Sequence, residues 1–257
     1  MNPDWSPLET ELEAWRQAGL TLPIWWRDDD ATTLTRELER LTSLAQTTGV
    51  PVHLAVIPEG AQRDLARFAD DTPNLVPVVH GWSHTNHANP ERKKAEFGED
   101  RTLEQLTNDA RSGLARIQDL FGSKAVPLFV PPWNRIAPNL IPELPALGYT
   151  SLSTFTPRKA GWAAPGLRQI NTHLDPINWK SDKALHDPST LIDLATRTLQ
   201  DRRTGQTDAT EPFGLLTHHL VHDPEIWQFT EIFLRVLMTG PVQVWRADDT
   251  RTTGEHS

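Results

Sequence analysis

Residues 22–58 read LPIWWRDDDATTLTRELERLTSLAQTTGVPVHLAVIP, and their pattern decides the fold. Leu22 through Trp26 form a short apolar run of the kind that makes a buried strand. Leu34, Leu38, Leu41 and Ala45 then recur at helical spacing, and the apolar run 52–57 ends at Pro58, which restricts the residue before it. Strand, helix and strand in that order make a βα unit plus the next strand, with the two strands parallel and the helix outside.

The same alternation extends along the chain. Runs at 75–79, 126–130, 149–153, 167–170, 213–217 and 242–245 read as further strands. Leu103, Leu106, Ala110, Leu114, Ile117 and Phe121 trace the clearest amphipathic helix, and Leu191, Leu194, Ala195 and Leu199 trace another. Seven or eight strands imply an α/β barrel of parallel strands with outer helices. The 257 residues suit a single domain with its core over about 20–247, an N-terminal helix within 1–19 and a frayed tail over 248–257. The polar segment 202–212, punctuated by Gly205 and Pro212, reads as a surface loop.

Composition narrows the partners. A net charge of -9 with no basic stripe excludes the usual electrostatic footprint of a nucleic-acid binder. No apolar run approaches the roughly 20 residues of a membrane span, and Met1-Asn2-Pro3-Asp4-Trp5 lacks the positive, then apolar, start of an export signal. The expectation is a cytoplasmic protein with no membrane partner. With no cysteine, disulfides, thiolate zinc sites and a cysteine nucleophile are excluded, so any metal must be held by His and Asp. Oligomeric state is not legible.

Polar clusters follow the proposed strands at residues 28–30, 80–87, 131–135 and 218–222. In parallel α/β folds the loops past the carboxyl ends of the strands gather the active site, so four distant segments can meet there. His80 and His84 stand four apart, close enough for two imidazoles to reach one ion from a helical turn or a strand-to-loop turn, although loop histidines without a ligand are common. A helical zinc protease needs Glu directly after the first His, and Gly81 stands there. The triplet Asp28-Asp29-Asp30 offers both a hard ligand and a second carboxylate able to take a proton from water, with Arg27 at hand to offset charge; the plainer alternative is an acidic cap on the following helix. Pro131-Pro132 stiffens a loop that presents Trp133 and Asn134 to a ligand, or packs as a connector. Among His218, His219 and His222, one can serve as a general acid; the plainer alternative is a helix N-terminus with incidental histidines. The ten Trp, including Trp25, Trp26, Trp82, Trp133, Trp162 and Trp179, either stack on sugar rings or fill the core.

In order and spacing these residues resemble the polysaccharide deacetylase family, the NodB-type carbohydrate esterases, from about residue 25 to residue 223. The paired acids of the family match Asp29-Asp30-Ala31, its His-x-x-x-His matches His80 to His84, its Pro-Pro-aromatic loop matches Pro131-Pro132-Trp133, and its Leu-x-His matches Leu216-Thr217-His218. The resemblance implies a distorted (β/α) barrel with a divalent metal, usually zinc, on Asp30, His80 and His84. It further implies Asp29 as the base, His218 as the acid, an oxyanion-binding N–H near Trp133, and hydrolysis of an N-acetyl amide. The supporting side chains are Arg27, Asp28, Arg135, Asp175 and His219.

Three departures stand out. The triplet also permits Asp28 as base and Asp29 as ligand. Phe129 or Val130 stands where the family has the Arg that orients the base, which leaves Arg27 and Arg135 as candidate substitutes. The family's Asp beside Trp finds Asn178 before Trp179, which leaves Asp175 as the supporting acid. A silent carbohydrate-binding protein and an amidohydrolase of cyclic ureides or amides are the competing functions, and the expected substrate is a small molecule or an oligosaccharide.

Overall fold

A computed structural model describes residues 3–249. Its elements in chain order are α1 (Ser6–Gln17), β1 (Leu22–Ala31), α2 (Arg36–Thr48), β2 (Val52–Val56), α3 (Arg63–Asp70), β3 (Leu75–His80), α4 (Leu103–Phe121) and β4 (Leu128–Val130). They continue with β5 (Ser151–Leu152), β6 (Trp162–Ala164), β7 (Leu167–Gln169), α5 (Pro188–Arg203), β8 (Phe213–Thr217), α6 (Pro224–Leu237) and β9 (Val242–Val244). Residues 250–257 of the expected tail lie outside the described residues.

The sheet runs β6-β7-β5-β4-β3-β2-β1-β8, with β9 paired to the first residues of β1. Every pairing is parallel except β6 with β7. Past β7 the chain crosses to β8: Phe155 bridges Thr172, Leu174 bridges Leu215, and the Leu216 N–H donates to the Leu174 carbonyl at 2.8 Å. The two ends of the sheet therefore meet, but through single bridges rather than a full ladder, which distorts the barrel. All eight expected strands form. The antiparallel β6 is an addition that the parallel scheme did not include; it is three residues long and turns back through Pro165-Gly166, too short to show a period. The strand expected at 126–130 begins only at Leu128, because the chain turns at Pro127, where the Leu128 N–H donates to the Val126 carbonyl at 2.8 Å.

Two apolar clusters follow from the period-two alternation of strands. Trp25, Ala55, Val76, Val78, Leu128, Val130 and Ile170 fill the barrel interior. Trp26, Leu54, Val79 and Leu215 face the helices together with Leu38, Leu41, Leu106, Ile117 and Leu199. Thr35, Thr102, Asp187 and Asp223 cap the N-termini of α2, α4, α5 and α6, each worth about 1 kcal/mol. The cap on α2 is thus Thr35, and the acidic triplet lies within β1.

Several expectations need correction. Leu194 is 41% exposed, and Ile192 takes its place on the buried face of α5. The 202–212 segment is more than a surface loop: Arg202 and Glu211 are buried with His173, where the Glu211 carboxylate also accepts the N–H groups of Arg158 and Asn171 at 3.0 Å. Helix α6, which buries Ile226, Trp227, Phe229, Phe233, Leu234 and Leu237, is an element the strand-and-helix reading did not include. Among the described residues no helix is long and apolar enough to cross a membrane.

Candidate metal centre and active site

The carboxyl ends of β1, β3, β4, β5 and β8 bring the polar clusters together. Alternation along β1 puts Trp25, Arg27 and Asp29 on the inner face and Trp26 and Asp28 on the outer one, as the two core clusters show for the tryptophans. Arg27, wholly buried, holds Asp29 with both arms of its fork: Nε donates to Oδ1 at 2.9 Å and Nη2 to Oδ2 at 3.0 Å. Its remaining donors reach the Ser153 hydroxyl (2.7 Å), the Thr154 carbonyl (3.3 Å) and the Asn134 side-chain oxygen (2.7 Å). Of the two candidate arginines, Arg27 therefore orients Asp29, whereas Arg135 donates to the Lys94 carbonyl at 2.6 Å and ties down a loop.

Asp30 leaves the alternation. The β1–β2 register shifts between Asp28 and Ala31, and Asp30 adopts φ +75°, so its carboxylate turns toward β3. Its Oδ1 lies 3.1 Å from His80 Nε2 and 3.2 Å from His84 Nε2. One ligand atom from each of the three residues lies within 4.8 Å of the others. The His80 Nδ1–H donates to the Val130 carbonyl at 3.0 Å, which aims Nε2 at the centre. Burial pushes the Asp30 carboxyl up, but the hydrogen bonds of His80 and His84 outweigh it and hold it well below the usual range. For His80, burial acts downward, and the charge of Asp29 and the contact with Asp30 overcome it, so the imidazole is raised. Two imidazoles converging on one carboxylate oxygen form a donor set that a divalent cation fits.

The loop carrying His84 is held from behind. Wholly buried Glu96 accepts from the Ser83 N–H (2.6 Å), the Ser83 hydroxyl (2.9 Å) and the Trp82 N–H (3.3 Å). Gly81 turns the chain at φ +57°, where a Cβ would lie 2.4 Å from Glu96 Oε2 and 2.6 Å from Pro132 Cδ. Four of the six non-glycine residues with positive φ among the described residues are Asp30, His84, Trp133 and Asn134, so backbone strain is concentrated here. The Trp133 ring sits 4.3 Å from the His84 ring, while Asn134, expected at the substrate, gives its side-chain oxygen to Arg27.

On the far side, His218 follows β8 and packs edge-on against Trp179, ring centroids 4.7 Å apart. The Trp179 indole N–H donates to Asp175 Oδ2 at 2.7 Å and the Ile177 N–H to Asp175 Oδ1 at 2.9 Å. Burial raises the Asp175 carboxyl despite the nearby His218. Trp179 is 45% exposed beside this group. Trp25 and Trp26 are core, and Trp162, 56% exposed, belongs to β6. Asp28 pairs with His219 behind the sheet. Burial lowers His222 to about 4, which leaves a neutral ring whose Nε2 accepts the His218 N–H at 3.4 Å. His87 is exposed, and no metal-binding group among the described residues includes it.

No protein-family model matches the sequence, and no curated protein matches it significantly. Solved structures do match in shape. A Mycobacterium smegmatis protein assigned as a polysaccharide deacetylase superposes with a TM-score of 0.68 at 15% identity, over 91% of each chain. A family 4 carbohydrate esterase from Streptomyces lividans, solved with acetate, gives 0.56 at 12% over 87% of this chain and 91% of that one. The fold is that of the polysaccharide deacetylases. A Streptococcus mutans esterase of the same carbohydrate esterase family adds a TM-score of 0.53 at 10% identity, over 89% of this chain and 86% of that one. Within this deacetylase fold, Glu96 and Ser153 are contributors that the sequence reading missed. Ser153 directly follows the short β5, so its place past a strand end was a usable signal. Glu96 sits in an irregular loop with no such mark.

Proposed function

We propose that the protein is a metal-dependent hydrolase of a non-peptide C–N amide bond, acting on an N-acetylated sugar or small amide. The observation that carries this is the triad of Asp30, His80 and His84 beside an Asp29 that Arg27 clamps on the same inner face. Asp30, His80 and His84 would hold the ion; zinc suits two imidazoles and one carboxylate, which leave positions open for water and substrate. When bound, such an ion acidifies water and polarises an acyl carbonyl. Asp29 accepts the proton of the attacking water, and Arg27 keeps its carboxylate aimed. His218 gives a proton to the departing amine nitrogen, with Trp179, itself held by Asp175, packed against its ring. Membership of the polysaccharide deacetylase family, suggested by the motif order and the shared fold, belongs to the same proposal. A silent sugar-binding protein has less support, since no position of the ligand, base and acid set is missing.

Acetate release from N-acetylated glucosamine oligomers and from simple acetamides, by metal-free and zinc-loaded protein, tests the proposal. Activity that appears with zinc, at about one ion per chain, is expected. A folded protein that binds no divalent ion would refute it. Fractionation of cells tests the accompanying proposal of a cytoplasmic location.

A further inference from the structure

Asp28 lies on the outer face of β1, away from the metal ligands, and yet it is the most heavily bonded carboxylate of the triplet outside the Arg27 clamp. Its Oδ1 meets His219 Nδ1 at 2.5 Å, with both side chains 0% exposed. Its Oδ2 accepts the Thr217 hydroxyl at 2.5 Å and the His219 backbone N–H at 3.0 Å. The Thr217 oxygen in turn accepts the Trp26 indole N–H at 2.8 Å. Every one of these contacts ends on residue 217 or 219, so the two neighbours of His218 are fixed while His218 itself turns to the inner face. Asp28 is likewise the chain neighbour of Asp29. A rigid peptide link on one side and a three-bond clamp on the other thus set how far His218 stands from Asp29.

Burying an ion pair rarely adds net stability over an apolar pair of the same shape, because desolvation consumes the attraction. What it adds is a unique geometry. His219 Nε2 is buried with no partner, so Nδ1 alone carries the role of the ring. We propose that Asp28, Thr217 and His219 are positioning residues that hold the His218 acid in register with the Asp29 base. The inference rests on the hydrolase reading above.

Replacing His219 by Asn keeps a donor at the place of Nδ1, and His219→Phe removes it. Each variant is assayed on an N-acetyl amide and on an activated aryl acetate, whose leaving group needs no acid. For His219→Phe the amide kcat is expected to fall about 100-fold, the low end of a general acid's contribution, with the ester rate, KM and zinc affinity within about threefold. His219→Asn should recover most of the amide rate. Equal loss on amide and ester together with zinc affinity overturns positioning, as does an unchanged amide rate in folded His219→Phe. Should His219→Phe fail to fold, Thr217→Val decides: a lower amide-to-ester ratio is expected, and an unchanged ratio overturns the proposal. Wild-type inactivity on both substrates would refute the hydrolase reading alone. The imidazole nitrogen NMR signals of His218 still test positioning in that case, since they should move in His219→Phe and return in His219→Asn; no movement overturns it.

Discussion

Arg27→Lys keeps the positive charge of the site and removes its geometry. The Arg27 fork is wholly buried and bonds both oxygens of Asp29, the Ser153 hydroxyl, the Thr154 carbonyl and the Asn134 oxygen. A lysine ammonium offers donors from one point and cannot span acceptors placed around a planar fork, so at least two charge-assisted hydrogen bonds go. At about 1.5–3 kcal/mol each, the loss is about 3–6 kcal/mol, divided between the folded state and the transition state. If half falls on stability, Tm drops by roughly 3–12 °C, at about 2–4 °C per kcal/mol for a chain of this size. The other half lowers kcat by about 10- to 150-fold, since each 1.36 kcal/mol is a factor of ten. Thermal melts, zinc titration and steady-state kinetics on an N-acetyl amide read the three quantities, and zinc affinity should hold. Wild-type turnover by the folded variant refutes orientation through the fork. A zinc affinity that falls by more than the roughly 10- to 100-fold typical of an outer partner, in step with kcat, refutes the assignment of Asp29 as base.

Asn134→Ala leaves one Arg27 donor without its partner, so kcat should fall about tenfold with KM unchanged, and the effect should vanish in an Arg27→Lys background; additive losses in that double-mutant cycle argue for direct substrate contact instead. Asp29→Asn should keep zinc and lose turnover, whereas Asp30→Asn and His84→Ala should weaken zinc by more than the roughly 10- to 100-fold typical of an outer partner; the reverse pattern, with Asp29→Asn metal-free, would place the ligand one residue earlier. Gly81→Ala combines a left-handed φ with overlap on Glu96 and Pro132, so a loss of about 1–3 kcal/mol in urea unfolding and weaker zinc binding are expected, and a neutral result would show that the loop can shift. Burial lowers His53 to about 4, with Asp248 acting upward and Arg246 downward. A folded-state pKa below the unfolded value of about 6.5 means that the neutral ring contributes fully above pH ~6.5 and that this is lost as pH falls toward 4, at up to about 1.36 kcal/mol per pH unit. Unfolding free energies measured across that window should slope less for His53→Gln than for the native chain, by up to about one proton; equal slopes would remove His53 from the acid transition.

The barrel was legible because buried parallel strands are largely apolar runs: 22–26 stops at Arg27, 52–57, broken only by His53, stops at Pro58, and 213–217 stops at His218. Alternation alone also settles more of the site than spacing does. Trp25 and Trp26 point to opposite cores, so Arg27 and Asp29 must share one face and Asp28 the other, which favours Arg27 over Arg135 and places Asp28 with the outer His219. What no sequence pattern announces is the bulge at Asp30, a single positive φ that aspartate tolerates without requiring it, and the reach of Glu96 across an irregular loop.

Three adjacent carboxylates would repel one another if they shared a face. Here each is turned to a different partner: Asp29 inward to the Arg27 guanidinium, Asp28 outward to His219, and Asp30, on its bulge, sideways to His80 and His84. The first two are satisfied within the protein by well-formed ion pairs. Asp30 has only the two imidazoles, and its side chain is still 32% exposed. It is therefore the one member of the triplet whose charge balance is open to an ion from solution, and for that physical reason the proposed metal site lies on the third aspartate.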